Sequence, residues 1–178
     1  MFLVITLFTS YYYTPYITVP LYLLVLGAEF FELYISRRVI EWESQLEKED
    51  EDEINAVKFA RFYTIFAAVN AALVSTFMFS LARYEGTVVH FTPLTLLFLA
   101  SMYAVVNYHQ LLSALVARLI LFGATILFIP LYDIWLTSPA LNSHLWLELA
   151  TVLCILYFIF DCSRSILRLY MQNLGQLY

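Results

Sequence analysis

The run 111–132, LLSALVARLILFGATILFIPLY, holds a single charged residue, Arg118, in 22 positions. An α-helix needs about 20 mostly apolar residues to cross the hydrocarbon core of a bilayer, since each residue rises about 1.5 Å. An apolar run of 10–14 residues would fit a buried helix of a soluble protein, but this one is longer. The stretch therefore predicts a membrane-spanning helix, and the rest of the chain has to be compatible with a bilayer.

The composition of the whole chain agrees with a membrane location. Of 178 residues, 62% are hydrophobic and 13% are charged, and the mean hydropathy is +0.78. An average soluble domain has about 45–50% apolar and ~25% charged residues. One soluble core cannot bury so much apolar surface, which excludes an ordinary soluble enzyme, a disordered regulator and a disulfide-rich secreted scaffold. The net charge of −5 argues against nucleic acid as a partner.

Five apolar runs of suitable length predict an all-α, polytopic integral membrane protein with a single domain over residues 1–178. The predicted spans cover about 18–36, 62–82, 88–107, 111–132 and 145–160, and residues 133–144 between the last two are expected to form a loop.

The N-terminal arm 1–16 is apolar but too short to cross a bilayer. Pro15 and Pro20 are expected to break any helix that would join the arm to the first span, because proline lacks an N–H and clashes with the preceding turn. We therefore expect an arm that lies at the membrane interface, with a sixth crossing as the alternative.

Two segments outside the spans are polar or amphipathic. Residues 37–61 contain five basic and eight acidic residues, and their acidic run 49–53 is expected at the tip of a helical hairpin outside the bilayer. Residues 161–178 predict an amphipathic C-terminal helix, which would lie on the membrane or pack on a partner helix. Its apolar stripe consists of Ile166, Tyr170, Leu174 and Leu177.

The basic residues predict the orientation of the chain. If the acidic loop 37–61 is cytoplasmic, five crossings leave eight of the nine basic residues inside and only Arg83 outside. The positive-inside rule counts Lys and Arg rather than net charge, so the acidic run does not reverse it. The sequence thus predicts a bacterial inner-membrane protein with its N-terminus outside and its C-terminus in the cytoplasm.

Glu29 and Glu32 lie one helical turn apart inside the first span, where a charged group is costly unless it is paired, protonated or hydrated. One interpretation is a proton or cation site. The other is a structural pair with Arg118 or Asn70 from neighbouring spans. Arg118 is either this buried partner or, if the fourth helix begins near it, an anchor at the membrane surface. Asn70, like Asn107, is also expected to form hydrogen bonds between helices.

The three histidines are the weak candidates for a cofactor contact. His90 and His144 fall at the outer ends of predicted spans, and His109 falls at an inner end. A zinc site needs three or four ligands, which these residues do not supply, so no metal site is predicted. One or two histidines suffice for a haem or a pigment, and that contact stays open. No nucleotide-binding, zinc-protease or nucleophile motif is present, so we do not expect an enzyme.

A charged ladder precedes the C-terminal stripe. Asp161, Arg164 and Arg168 follow one another at helical spacing, and they lead into Tyr170 and Leu174. This pattern is typical of a solvated helix edge or of a surface that docks another protein. We expect it to be the partner-docking segment.

Several features also resemble a known family. They are the run Pro20–Leu24 followed by Ala28-Glu29 and Arg37-Arg38, a polar loop, Asn70 in the second span, His109 before the fourth span and Pro130 near its end. Together they resemble the membrane-embedded input region of some bacterial sensor histidine kinases. The resemblance implies a membrane module that communicates with another protein. It also implies that a signalling helix of this chain begins near Asp161. It does not imply kinase activity, because the sequence shows no phospho-acceptor region and no ATP-binding domain.

The sequence therefore leads to three hypotheses about function. The first is a non-catalytic accessory subunit of a larger respiratory or photosynthetic complex, in contact with lipids and with other membrane-protein subunits. The second is a sensory module that partners a separate kinase or effector. The third is a proton or cation conduit that uses Glu29, Glu32 and Arg118. No cofactor is predicted for any of them.

Overall fold

A computed structural model describes residues 15–43, 52–85, 90–107, 111–140 and 143–176 of the chain. These residues form five helices and no strand, so the predicted all-α class is confirmed for the described part. The helices are α1 (Pro15–Glu43), α2 (Asp52–Glu85), α3 (Phe91–Asn107), α4 (Leu112–Thr137) and α5 (His144–Gln176).

Three of these helices contain segments long and apolar enough to cross a membrane. The segments are Ala60–Tyr84 in α2, Leu112–Thr137 in α4 and His144–Gln172 in α5. The helix α3 is also apolar but shorter, with 17 residues. Length and composition of the described helices thus support a membrane protein and three of the five predicted spans.

The start of α1 differs from the sequence-based expectation. Pro15 and Pro20 were expected to break a helix, yet α1 begins at Pro15 and continues through Pro20. Proline is tolerated in the first helical turn because its missing N–H would have no partner there. Pro20 removes only the hydrogen bond to Tyr16, close to the helix end, and α1 accommodates this loss. The arm 1–14 lies outside the described residues.

Two further helix boundaries, in the C-terminal part of the chain, differ from the boundaries predicted from the sequence. The segment after 132 was expected to be a loop, but α4 runs on to Thr137 and includes Asp133. The helix ends at Ser138, which adopts a left-handed conformation (φ 43°), and its N–H donates to the carbonyl of Ile134 at 2.9 Å. The span 145–160 and the tail after 161, which the sequence separated, belong to one continuous helix, α5.

The helices α2 and α4 form the centre of the bundle and share the most extensive contact. The helix α1 packs on α2, whereas α3 and α5 pack on α4 and on each other. Small side chains let α2 approach its neighbours, because Ala67 and Ala71 are almost completely buried. The larger core side chains include Phe77, Met78, Leu97, Leu115 and Ile126.

The short connections between successive helices define two ends of the bundle. The loop end is where α1 meets α2 and α3 meets α4, and it also holds the C-terminal part of α5. The His90 end is where α2 meets α3 and α4 meets α5. Apolar side chains cover the outside between the two ends, as the exposed Ile65, Ile120 and Tyr157 show, and a lipid environment suits this surface.

The packing of α2 predicts the effect of a paired substitution. Ala71 belongs to the central apolar core, whereas the adjacent Ala72 is exposed. We expect Ala71→Leu to destabilise the protein by about 1–3 kcal/mol, because extra methylenes in a filled core force side chains and backbone apart. Ala72→Leu adds the same atoms to the lipid-facing surface and should leave the unfolding temperature unchanged. Thermal unfolding in detergent compares the two, and equal effects would contradict this packing.

Candidate functional site

A buried ion pair joins two helices that are far apart in the sequence. A terminal guanidinium nitrogen of Arg118 on α4 donates to both carboxylate oxygens of Glu32 on α1. Only 3% of Arg118 and 2% of Glu32 is exposed. A charge buried this deeply is tolerated only when an opposite charge and hydrogen bonds compensate for lost hydration. The pair therefore fixes where α1 lies against α4.

Two side chains of α2 complete the surroundings of Glu32. The hydroxyl of Tyr63 donates to Glu32 Oε1 at 3.0 Å, and the amide of Asn70 donates to Glu32 Oε2 at 2.6 Å. The same amide nitrogen lies 3.2 Å from Oε1 of Glu29 and donates to it as well. We call Glu29, Glu32, Tyr63, Asn70 and Arg118 the carboxylate cluster. It links α1, α2 and α4 through one set of polar contacts.

The carboxylate cluster holds two carboxyl groups and one guanidinium. Arg118 compensates the charge of Glu32, while Glu29 is only partly buried and accepts from the Asn70 amide. Asn70 Oδ1 is buried and has no hydrogen-bond partner among the described residues. The chemistry of this set is therefore that of a compensated ion pair with one further carboxyl group at its edge.

Tyr63 is the member of the cluster that the sequence analysis missed. It lies seven residues before Asn70 on α2, which is two helical turns and therefore the same face. Only charged and amide side chains were expected as partners of Glu32, although a tyrosine hydroxyl can also donate to a buried carboxylate. The seven-residue spacing from Asn70 was the sequence signal that could have identified Tyr63 as a further partner of Glu32.

A second group of polar side chains lies at the other end of the α2–α4 pair. The Nε2 atom of His90 contacts a carboxylate oxygen of Asp133, and both residues are buried. Arg83 donates to the hydroxyl of Tyr132, and its guanidinium carbon lies 5.1 Å from the centre of that ring. We call Arg83, His90, Tyr132 and Asp133 the His90 cluster. These residues line a cleft of about 220 Å³.

Asp133 was missed because the sequence placed it in a loop. It follows Ile126 and Ile129, which face the core, by seven and four positions, so a longer helix would have placed it on the buried face. The acidic residue was read as the end of the apolar run. In the structure His90 contacts it, and this contact compensates for its burial.

The two clusters are separated by a mostly apolar layer. Asn70 and Arg83 are 13 positions apart on α2, which corresponds to about 20 Å of helix rise. Between them the core contains Val74, Phe77 and Met78, packed in one cluster with side chains of α4. The separation is close to two thirds of the ~30 Å hydrocarbon core, so each cluster would lie towards one surface of a bilayer.

The other residues proposed from the sequence lie apart from both clusters. The amide of Asn107 donates to the carbonyl of Tyr103 in its own helix at 2.8 Å and is exposed, so the expected contact between helices is wrong for this residue. His144 is the exposed first residue of α5, and His109 lies outside the described residues.

The predicted docking residues all belong to α5. Asp161, Arg164 and Arg168 are exposed, and Tyr170 is partly buried. Leu174 lies in the last turns of α5, and its side chain is outside the described part.

Neither a metal site nor a similar known protein gives further information about the role of the two clusters. Within the described ranges, no group of three or more His, Cys, Asp or Glu side chains is placed to hold a metal ion. No protein-family model matches the sequence, and neither curated proteins nor solved structures yield a significant match.

The ion pair predicts a large difference between single and double substitution. Arg118→Met should destabilise the protein by about 3–5 kcal/mol, because it leaves the Glu32 carboxylate buried without its counter-charge. The double variant Glu32→Gln/Arg118→Met should recover most of this loss, since Gln is neutral and its single carbonyl oxygen still accepts a hydrogen bond from Tyr63 or from Asn70. Unfolding in bicelles or detergent measures the free-energy differences.

Arg61→Met is the matched control, because Arg61 is an exposed arginine on α2. It should change the unfolding free energy by less than about 1 kcal/mol, as expected for an exposed charge. If the double variant is as unstable as Arg118→Met, the charge of Glu32 is not the reason for the loss.

Proposed function

We propose that this protein is a non-catalytic subunit of a larger membrane complex and that α5 binds the neighbouring subunit. The respiratory or photosynthetic complexes of a bacterial inner membrane are the assemblies we favour. The chain would cross the bilayer five times, with α1 and α3 as additional spans and with its C-terminus in the cytoplasm.

The observation that carries this proposal is the limited burial of α5. Only 17% of the apolar 18-residue segment of α5 is buried within the protein, compared with 50% of the corresponding segment of α2. The helix has 33 residues and is therefore about 50 Å long, which exceeds the ~30 Å hydrocarbon core. Its C-terminal end would project beyond the hydrocarbon, and this end carries the exposed apolar side chain Leu169. A partner protein would cover it.

The interior supports the absence of catalysis within this chain. The buried charges Glu32 and Arg118 contact each other, and Asp133 contacts His90. These groups compensate one another and hold α1, α3 and α4 in place. A structural role for both clusters is therefore sufficient to explain why polar residues occur inside the bundle.

A signalling module is the second candidate, and the continuity of α5 favours it. The helix passes from its apolar part into the charged ladder at Asp161 without interruption. A shift or rotation of the membrane part would then move the projecting part as well. This is the arrangement that the resemblance to sensor input regions implies.

The conduit hypothesis has less support. A conduit needs a polar path between the two clusters, but Val74, Phe77 and Met78 occupy most of that region of α2, and Ser75 is its one buried polar side chain. We expect liposomes that contain the purified protein to show no proton flux above that of empty liposomes. A flux that Glu29→Gln abolishes would overturn this expectation and support the conduit.

The accessory-subunit proposal is tested by photo-crosslinking in cells. A photoreactive phenylalanine replaces Leu147, in the first turn of α5, or Leu169, near its other end, and both positions are more than half exposed. We expect both positions to crosslink to subunits of one complex, because α5 would lie along it. The buried Phe77 is the control and should give no adduct.

The site and identity of the adduct separate the candidates. An adduct from Leu169 alone, to a kinase or response regulator, would favour the signalling module. If neither position crosslinks to a protein and the chain purifies as a monomer from mild detergent, the subunit proposal fails.

A further inference from the structure

A wide groove lies between α4 and α5, and Ser101 of α3 also lines it. Its volume is about 1030 Å³. Its walls are mainly apolar and include Val116, Ile120 and Gly123 of α4 and Leu156, Phe160 and Leu167 of α5. At the loop end of the bundle the lining becomes polar, where Arg164, Arg168 and Gln172 border the groove.

We propose that this groove binds one anionic phospholipid, with its phosphate at Arg164 and Arg168 and an acyl chain along Gly123 and Leu156. The lipid would be a bound component of the protein, distinct from the surrounding bilayer. This inference goes beyond the accessory-subunit function and does not depend on it.

Charge complementarity identifies the headgroup. Arg164 and Arg168 are four positions apart on α5, so they share one helix face, and both border the groove. Neither arginine has a salt-bridge partner among the residues that the structure describes. Asp161, one turn earlier, is the nearest acidic residue on α5, and the structure places it outside the groove lining. Two guanidinium groups above an apolar groove suit an anionic lipid headgroup.

The length of the groove fits a lipid of one leaflet. From Leu156 to Arg168 the helix rises by about 18 Å. Half of the ~30 Å hydrocarbon core is about 15 Å, so an acyl chain that starts at the arginines would end near the middle of the bilayer. The orientation predicted by the positive-inside rule would place this end in the cytoplasmic leaflet, where anionic lipids are concentrated.

Gly123 helps to form the space for the chain. A Cβ atom at this position would come within 3.5 Å of Leu156 Cδ2, which is ordinary van der Waals contact. The glycine is therefore not required for helix packing at this point, and its missing side chain widens the groove beside Leu156. Both charged residues of the lining, Arg164 and Arg168, border the loop end of the groove, as expected for a molecule with one charged end and one apolar end.

The experiment measures lipid retention by native mass spectrometry of the purified full chain. Phosphatidylglycerol and phosphatidylcholine with identical acyl chains are added in equal amounts. We expect one phosphatidylglycerol per protein and at least tenfold lower occupancy by phosphatidylcholine. Arg164→Gln/Arg168→Gln should lower phosphatidylglycerol occupancy at least tenfold. Lys58→Gln/Arg61→Gln removes two exposed charges from the same end of the bundle and should leave occupancy unchanged.

A second pair of variants tests the position of the acyl chain. Ile120→Trp fills the groove from an exposed wall position and should abolish retention of the lipid. Leu131→Trp makes a comparable change on the same helix outside the groove and should have no effect. Equal thermal unfolding of both variants and the wild type shows that the fold is intact.

Three results would overturn the proposal. Equal retention of both lipids would show that the arginines do not select an anionic headgroup. Unchanged retention in Ile120→Trp would place the lipid elsewhere. A protein dimer or a bound partner subunit that Ile120→Trp releases, without any bound lipid, would make the groove a protein interface.

Discussion

The ion pair between Glu32 and Arg118 is the constraint on which the arrangement of the helices depends. A carboxylate in the apolar interior needs a positive partner, and the structure provides it from a helix that begins 80 positions later in the chain. Tyr63 and Asn70 satisfy the same carboxylate from α2. The Glu32 carboxylate of α1 therefore gains both its counter-charge and its hydrogen bonds only when α2 and α4 lie side by side. Apolar packing alone would allow α1 several rotations about its axis, whereas this set of contacts allows one.

The His90 cluster has a corresponding role at the opposite end. His90 stands just before α3 and Asp133 lies near the end of α4, so their contact holds the start of α3 against α4. The two clusters then fix both ends of the bundle, and the apolar layer between them provides most of the buried surface. In lipid, van der Waals packing and hydrogen bonds between helices replace the hydrophobic effect as the cause of association. Polar contacts at the two ends and apolar packing between them explain why Glu32 and Arg118 lie at one level of the bundle and Asp133 lies at the other.

The sequence was sufficient to predict the helical membrane class, since long apolar runs have few alternative explanations. It also offered the pairing of Glu32 with Arg118 or Asn70 as one of two interpretations, because opposite charges at similar depth must compensate each other. The apolar pattern did not single out Tyr63 or Asp133, since a hydroxyl or a carboxylate near the end of an apolar run usually faces water. Helix boundaries at Pro20 and Ser138 depend on how many hydrogen bonds the surrounding helix retains, and composition does not contain that information.

The distribution of polar groups favours our proposal that the surface of the bundle carries the function. The interior charges contact one another, and the described chain places an apolar layer between the two clusters, so the interior is occupied by interactions that hold it together. The helix α5 differs, because it contributes little to either cluster and exposes most of its length. One side of α5 faces the groove, where Arg164 and Arg168 suit an anionic lipid, and Leu147 and Leu169 remain outside that groove. A bound lipid would fill the space between α4 and α5 and stiffen the projecting helix, which would present a more defined surface to a neighbouring subunit.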